Sequence, residues 1–276
     1  MFNKETLQHI ESQALVAAAK PISIDGGSNV VVLPDSVSMH SLERYQPMRD
    51  RFRASLKTQS LRDFSKYVER HNDTDLGLLA GGFIDQDAMS ATVIFNLGTP
   101  DEAGHGDDRA TLTLKPSAAY TAVQSIVGKP LSQQALAEWL EDWAPNITAT
   151  AGDETLTIAA AISGVRKMTI KATSQRDSSV GDLSATRSAM DEIEAKSQET
   201  LPTVFLFQVV PFEGLAESTI TLRLSAITGE DKPVLKLRWV GEEAQREGFA
   251  IEFKHVLEQE VGGFVPLTIG TFAIGN

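Results

Sequence analysis

Asp101, Glu102, His105, Asp107 and Asp108 form the densest group of potential ligands in the chain. Carboxylate oxygens with one imidazole suit a divalent ion such as Mn²⁺ or Mg²⁺. The group also sits in a glycine-containing stretch between two β-rich runs, where solvated charges gather in any case. It lacks the D-x-[DN]-x-[DN]-G spacing of a calcium loop. Asp85 and Asp87 could pair as carboxylates, but a tight turn between strands favours aspartate for its local backbone hydrogen bonds. His71 lies close to Asp73 and Asp75, so a general base oriented by a carboxylate is conceivable. A histidine near the C-terminal end of a helix equally complements the helix dipole. His9, His40 and His255 stand alone, and no serine occupies a G-x-S-x-G elbow. No catalytic, cofactor-binding or metal-ligating residue is therefore assigned, and the expectation is a protein that is not an enzyme and needs no cofactor.

Other patterns are better explained by structure than by chemistry. Gly26-Gly27 and Gly81-Gly82 complete neither G-x-x-x-x-G-K-[ST] nor G-x-G-x-x-G. Trp139 and Trp143 could stack on a base or ligand, yet their leucine companions at core spacing predict a packed helix face. Arg44, Arg49, Arg51, Arg53 and Lys57 make 44–57 the most basic stretch of an acidic protein. It could grip an anion or pair with the chain's own surplus acid.

Composition narrows the classes further. The chain has 276 residues and a net charge of −12, with 42% hydrophobic and 22% charged residues. That is ordinary globular usage and excludes wholesale disorder. The acidic balance argues against direct nucleic-acid binding, which draws on clustered Lys and Arg. The absence of cysteine excludes disulfide frameworks, thiolate zinc sites and cysteine nucleophiles. No run reaches the roughly 18–20 apolar residues of a membrane span, and the first twenty residues lack the pattern of a signal peptide. A cytoplasmic protein is expected.

The elements follow from periodicity and punctuation. Residues 1–20 read as a helix, with Leu7, Ile10, Leu15 and Ala18 roughly on one side and Pro21 as its stop. Asn29–Leu33 reads as a strand after the turn Asp25–Ser28, and 35–58 as irregular. Ser60-Leu61-Arg62-Asp63 starts a helix whose apolar stripe is Leu61, Phe64 and Val68. Residues 77–84 and 90–97 form a hairpin, 110–114 a third strand, and 117–127 a helix closed by Gly128. Ser132 caps a helix with Leu136, Trp139, Leu140 and Trp143 at helical spacing, and Leu131 fits a hydrophobic staple. Val165–Lys171 alternates like a strand, 174–182 reads as a loop, and 182–199 as either an exposed helix or a strand with a long turn. Three strands at 203–210, 217–228 and 233–239 predict an antiparallel meander. Residues 243–260 predict an amphipathic helix, and 265–274 a last strand. This order fits an α+β fold of mostly antiparallel sheets with packing helices. It is read as a single domain over 1–276, or as a helical arm at 1–30 and two lobes, 31–145 and 161–276, meeting near 146–160.

Several blocks together resemble a known family. Val32-Leu33-Pro34-Asp35 leads through Leu42-Glu43 and Pro47 to Leu61–Val68. Leu131–Asp142 follows, then Leu201-Pro202, Phe205 and Pro211–Gly214. Their order and spacing resemble the YfdQ-like family of uncharacterised proteins of tailed phages and prophages, from about Val30 onward. The resemblance implies a phage-derived protein of the host bacterial cytoplasm and supplies no catalytic residue.

The function expected from the residues is self-association and binding, as a homo-oligomer or larger ring or shell, with exposed strands covered by symmetric contacts. A host protein is a candidate partner, while direct nucleic-acid and membrane contacts are not expected. The alternatives are an acidic decoy of a host nucleic-acid-handling or defence protein, or a small-molecule or metal-dependent protein using 101–108 or 44–57.

Overall fold

The computed structural model describes residues 3–18, 43–49, 51–71, 79–168, 200–227 and 234–274. The strand expected at 29–33, Gly26-Gly27, His40, Asp73, Asp75 and the readings of 174–199 lie outside these residues. The chain falls into two compact units, Met1–Phe52 and Arg53–Asn276.

In the first unit, α1 spans Lys4–Ala18. Asn3 starts it, its Oδ1 accepting from the Thr6 N–H at 2.7 Å, which satisfies one of the donors a helix start leaves unpaired. A 3₁₀ turn follows at Glu43–Tyr45.

The second unit holds two five-stranded sheets with helices, the α+β fold the patterning predicts. The first sheet contains β1 (Ser55–Thr58), β2 (Gly81–Asp85), β3 (Ser90–Ile94), β4 (Arg109–Thr113) and β10 (Leu267–Ile269) in the order β1-β4-β3-β2-β10. β2, β3 and β4 are antiparallel, while β1 and β10 join the edges in parallel. The second sheet is antiparallel throughout, in the order β6-β5-β7-β8-β9, from Ile147–Ala151 (β5), Glu154–Leu156 (β6), Val204–Val209 (β7), Ser218–Ile227 (β8) and Val234–Trp239 (β9). The meander is β7-β8-β9. Its alternation buries Phe205, Phe207, Ile220, Leu222, Leu235 and Leu237 on one face, because successive side chains of a strand point to opposite faces.

The helices are α2 (Leu61–His71), α3 (Ala118–Ile126), α4 (Gln133–Asp142), α5 (Ile158–Lys167) and α6 (Glu242–Glu260). Ser117, Ser132 and Thr157 cap α3, α4 and α5 by accepting from the third residue on. Leu131, expected as a staple, also exchanges both backbone bonds with Leu235 at 2.8 and 2.9 Å, and the Gly128 N–H donates to Leu237 at 2.9 Å. These contacts cover the outer edge of β9, which would otherwise invite pairing. α6 ties the two sheets together. Gln86, in the β2–β3 turn, donates to the Ala250 carbonyl, and the Ala216 N–H after β7 donates to Glu252. Phe249, Phe253 and Leu257 of α6 join one continuous core with side chains of both sheets.

Three expectations are corrected, and the stretch after Asn146, given no element above, is filled. The run at 165–171 does not begin as a strand, since 158–167 is helix α5. Ala161, Gly164, Val165 and Met168 are its buried side, an i, i+3, i+4, i+7 set whose small residues hide the helical period. Residues 55–58, expected to be irregular, form edge strand β1. The stretch after Asn146 contains the β5–β6 hairpin. The last strand is confined to Leu267–Ile269.

Candidate functional site

α2 and the β3–β4 loop build a half-buried acid–imidazole corner around the buried Asp108. His71 closes α2, and Tyr67 lies one turn earlier on the same face. Their rings stack at 3.7 Å with an 18° interplanar angle. His71 Nδ1 lies 2.9 Å from the Tyr67 carbonyl oxygen. A carbonyl only accepts, so Nδ1 carries the hydrogen. Phe95 tilts against both rings at 5.9 and 5.6 Å.

The loop doubles back on itself to meet this corner. The Gly104 N–H donates to Leu97 and the Gly106 N–H to Asn96. Gly106 has φ +61°, a left-handed conformation that glycine adopts without steric cost. A Cβ at Gly104 would collide with the Asn96 carbonyl. The Asn96 side chain holds both neighbouring acids: its Nδ2 donates to Asp107 Oδ1 at 2.9 Å, and its Oδ1 accepts from the Asp108 N–H at 3.1 Å.

Asp108 is 8% exposed, and its Oδ1 has no hydrogen-bond partner. Burial pushes its carboxyl above the usual aspartate value. The His71 charge draws it back, and Asp107 adds to the rise. Burial, followed by the Asp108 charge, raises the Tyr67 phenol. The arrangement can hold or release a proton at a place shielded from water.

Of the sequence candidates, Asp107, Asp108 and His71 thus come together, whereas Asp101, Glu102 and His105 stay on the exposed part of the loop. Among the described residues no three His, Asp or Glu side chains are grouped to hold a metal ion. Tyr67 and Asn96 were not singled out from the sequence. Tyr67 was findable four residues before His71 on a capped helix, but nothing local in the sequence marks Asn96.

The remaining candidates have structural roles. Asp85 Oδ1 accepts from the N–H groups of Asp87 and Ala88, which is the turn reading. Trp139 and Trp143 pack on Phe207. Gly81 and Gly82 lie in β2, where a Cβ would meet Leu97 or Leu267. His255 lies 3.3 Å from Glu258 on α6, and His9 is exposed on α1. The boundary at 52/53 divides the basic stretch 44–57 between the two units. Arg44 stacks over Tyr45 at 4.6 Å.

Three surface features have no internal counterpart in this account. α1 exposes Leu7 and Ile10 at 55% and 49%. A groove of about 450 Å³ runs between α2 and α6, edged by Arg62, Lys66, Glu213 and Glu260. The outer face of the meander carries Arg223, Lys236 and Arg238. No helix among the described residues is long and apolar enough to cross a membrane.

Comparison with curated proteins and with solved structures finds no match. Residues 3–272 do match a protein family across both sheets and α1. The chain belongs to the family described as an uncharacterized conserved protein, DUF2303.

Proposed function

We propose that this is a non-enzymatic, phage- or prophage-encoded protein of the bacterial cytoplasm that works by self-association and binding. The blocks resembling the YfdQ-like phage family support the phage origin. The observation that carries the self-association is the bare seam of α1. Leu7, Ile10, Ala14 and Ala17 recur at i, i+3, i+7 and i+10, and all four are exposed. That is the a/d spacing by which two helices bury a shared stripe.

A lone helix of this length is marginal in water and draws its stability from what it packs against. The rest of α1 carries Lys4, Glu5, His9 and Glu11 together with exposed Leu15 and Val16. It lacks the Lys/Arg enrichment of a helix that lies on an anionic membrane. A second copy of α1 offers a matching apolar stripe and two-fold pairing.

Leu7→Glu combined with Ile10→Glu tests this by light scattering on a size-exclusion column at about 500 mM salt, where contacts between exposed charges are screened. The expected outcome is a fall in mass toward the 29.9 kDa of one chain, with the far-ultraviolet strand signal retained. An unchanged mass, or a wild-type protein that is already monomeric, would refute the seam.

A further inference from the structure

The outer face of the second sheet contradicts the chemistry of the rest of the chain. Arg223 of β8 lies directly opposite Arg238 of β9, and Lys236 is two residues along the same strand, opposite Ser225. The three alternate with buried Leu222, Leu224, Leu235 and Leu237, so they stand on the solvent side. The other described strand residues of this face, among them Thr150, Thr155, Leu206, Gln208, Thr219 and Thr221, include no acid. Like charges directly opposite each other weaken a sheet, and no described carboxylate forms an ion pair with either arginine.

α6 carries the opposite pattern. Glu243 and Glu247 are exposed one turn apart, a like-charge i, i+4 pair that weakens a helix. Of the other acids of α6, Glu242 pairs with Arg246, Glu258 with Lys254, and Glu252 accepts from the Ala216 N–H, while Glu260 ends the helix at the groove beside α2. Side chains one helical turn apart are separated by about 5–6 Å, and cross-strand neighbours by about 4.5–5.5 Å. The two like-charged pairs are therefore similar in spacing and opposite in sign. Within one chain they are not paired with each other. Sheet and helix bury their apolar sides in the same core and turn these charged sides outward.

We infer that the Arg223–Arg238 face of one copy docks on the Glu243–Glu247 face of α6 of the next. This inference rests on the reading that the protein self-associates, and supplies a second contact separate from the α1 seam. The contact is placed head-to-tail, so that each copy keeps one face free for the next and the copies build a ring or an open array. A nucleic-acid backbone suits the face less well. It offers three cations on a chain of net charge −12, and phosphate binding draws on many more.

Charge reversal tests the contact. One variant carries Arg223→Glu with Arg238→Glu, the other Glu243→Arg with Glu247→Arg, and mass is read by light scattering at about 20 and about 500 mM salt. Each variant alone should lose the assembly larger than the α1-joined pair at low salt. An equimolar mixture should regain it, since each variant then supplies the complement of the other. High salt should dissolve the same assembly in the wild type.

Loss without rescue on mixing would overturn the inference, as would a low-salt assembly indifferent to both variants. Excess 260 nm absorbance removed by Arg223→Glu/Arg238→Glu would assign the face to nucleic acid instead. The Leu7→Glu/Ile10→Glu variant separates the two contacts: it should keep the salt-sensitive association while losing the salt-resistant one.

Discussion

Asp108 is the residue where chemistry and stability pull apart. Its folded-state pKa is raised above the ordinary 3.8. Its contribution to stability is therefore full below that value and lost as pH rises through the folded pKa, leaving a shielded carboxylate working against the fold at neutral pH. Asp108→Asn should then melt higher than wild type at pH 7, with the difference shrinking toward zero as pH falls to about 4. A difference that stays constant with pH would contradict this reading. Asn96→Ala removes the donor to Asp107 and the acceptor for the Asp108 N–H, and should cost about 1–3 kcal/mol in a urea titration. Two tryptophans give a sharper contrast. Trp239 Nε1 donates to Gln245 at 2.8 Å, whereas the buried Trp139 Nε1 has no partner. Trp239→Phe should cost about 1 kcal/mol more than Trp139→Phe; equal costs would argue against it. His71 was visible in the sequence as a conceivable base, and Asp107 and Asp108 as members of a possible metal-ligand cluster. Their meeting was not, because it depends on a loop closure set by Asn96 and two glycines.

At the scale of elements, legibility tracked local punctuation. α2, α3 and α4 were readable from Ser60, Ser117 and Ser132, each of which accepts a first-turn N–H. Ser132→Ala should therefore destabilise the fold by about 1 kcal/mol, measured as a shift in urea midpoint at unchanged slope. The β7–β8–β9 meander was legible because one face is buried and its residues alternate, and the β2–β3 hairpin because two β-rich runs flank the Asp85–Ala88 turn. β1, β6 and β10 are edge strands of three or four residues, too short to show a period and dependent on long-range partners such as Arg109 and Gly82. α5 was misread because Ala161 and Gly164 bury little apolar surface of their own, leaving the Val165–Ile170 alternation to dominate.

Arg53–Asn276 holds a single core, and α6 crosses from the second sheet to hand β10 to the first. Phe253 is fully buried within that core. Phe253→Ala should cost about 3–5 kcal/mol and lower a single cooperative transition rather than split it in two. The acidic balance, the absence of cysteine and the α+β class were plain from composition and patterning. The charged faces that distinguish one side of the molecule from another emerged only once strand register was known, since Arg223 and Arg238 become neighbours through pairing. Everything proposed about function turns on whether chains join. The most direct test is the absolute mass of the purified full-length chain by light scattering on a size-exclusion column, with absorbance read at 260 and 280 nm. The account predicts a defined multiple of 29.9 kDa with a protein-like absorbance ratio; a species of one chain's mass at every concentration would contradict it.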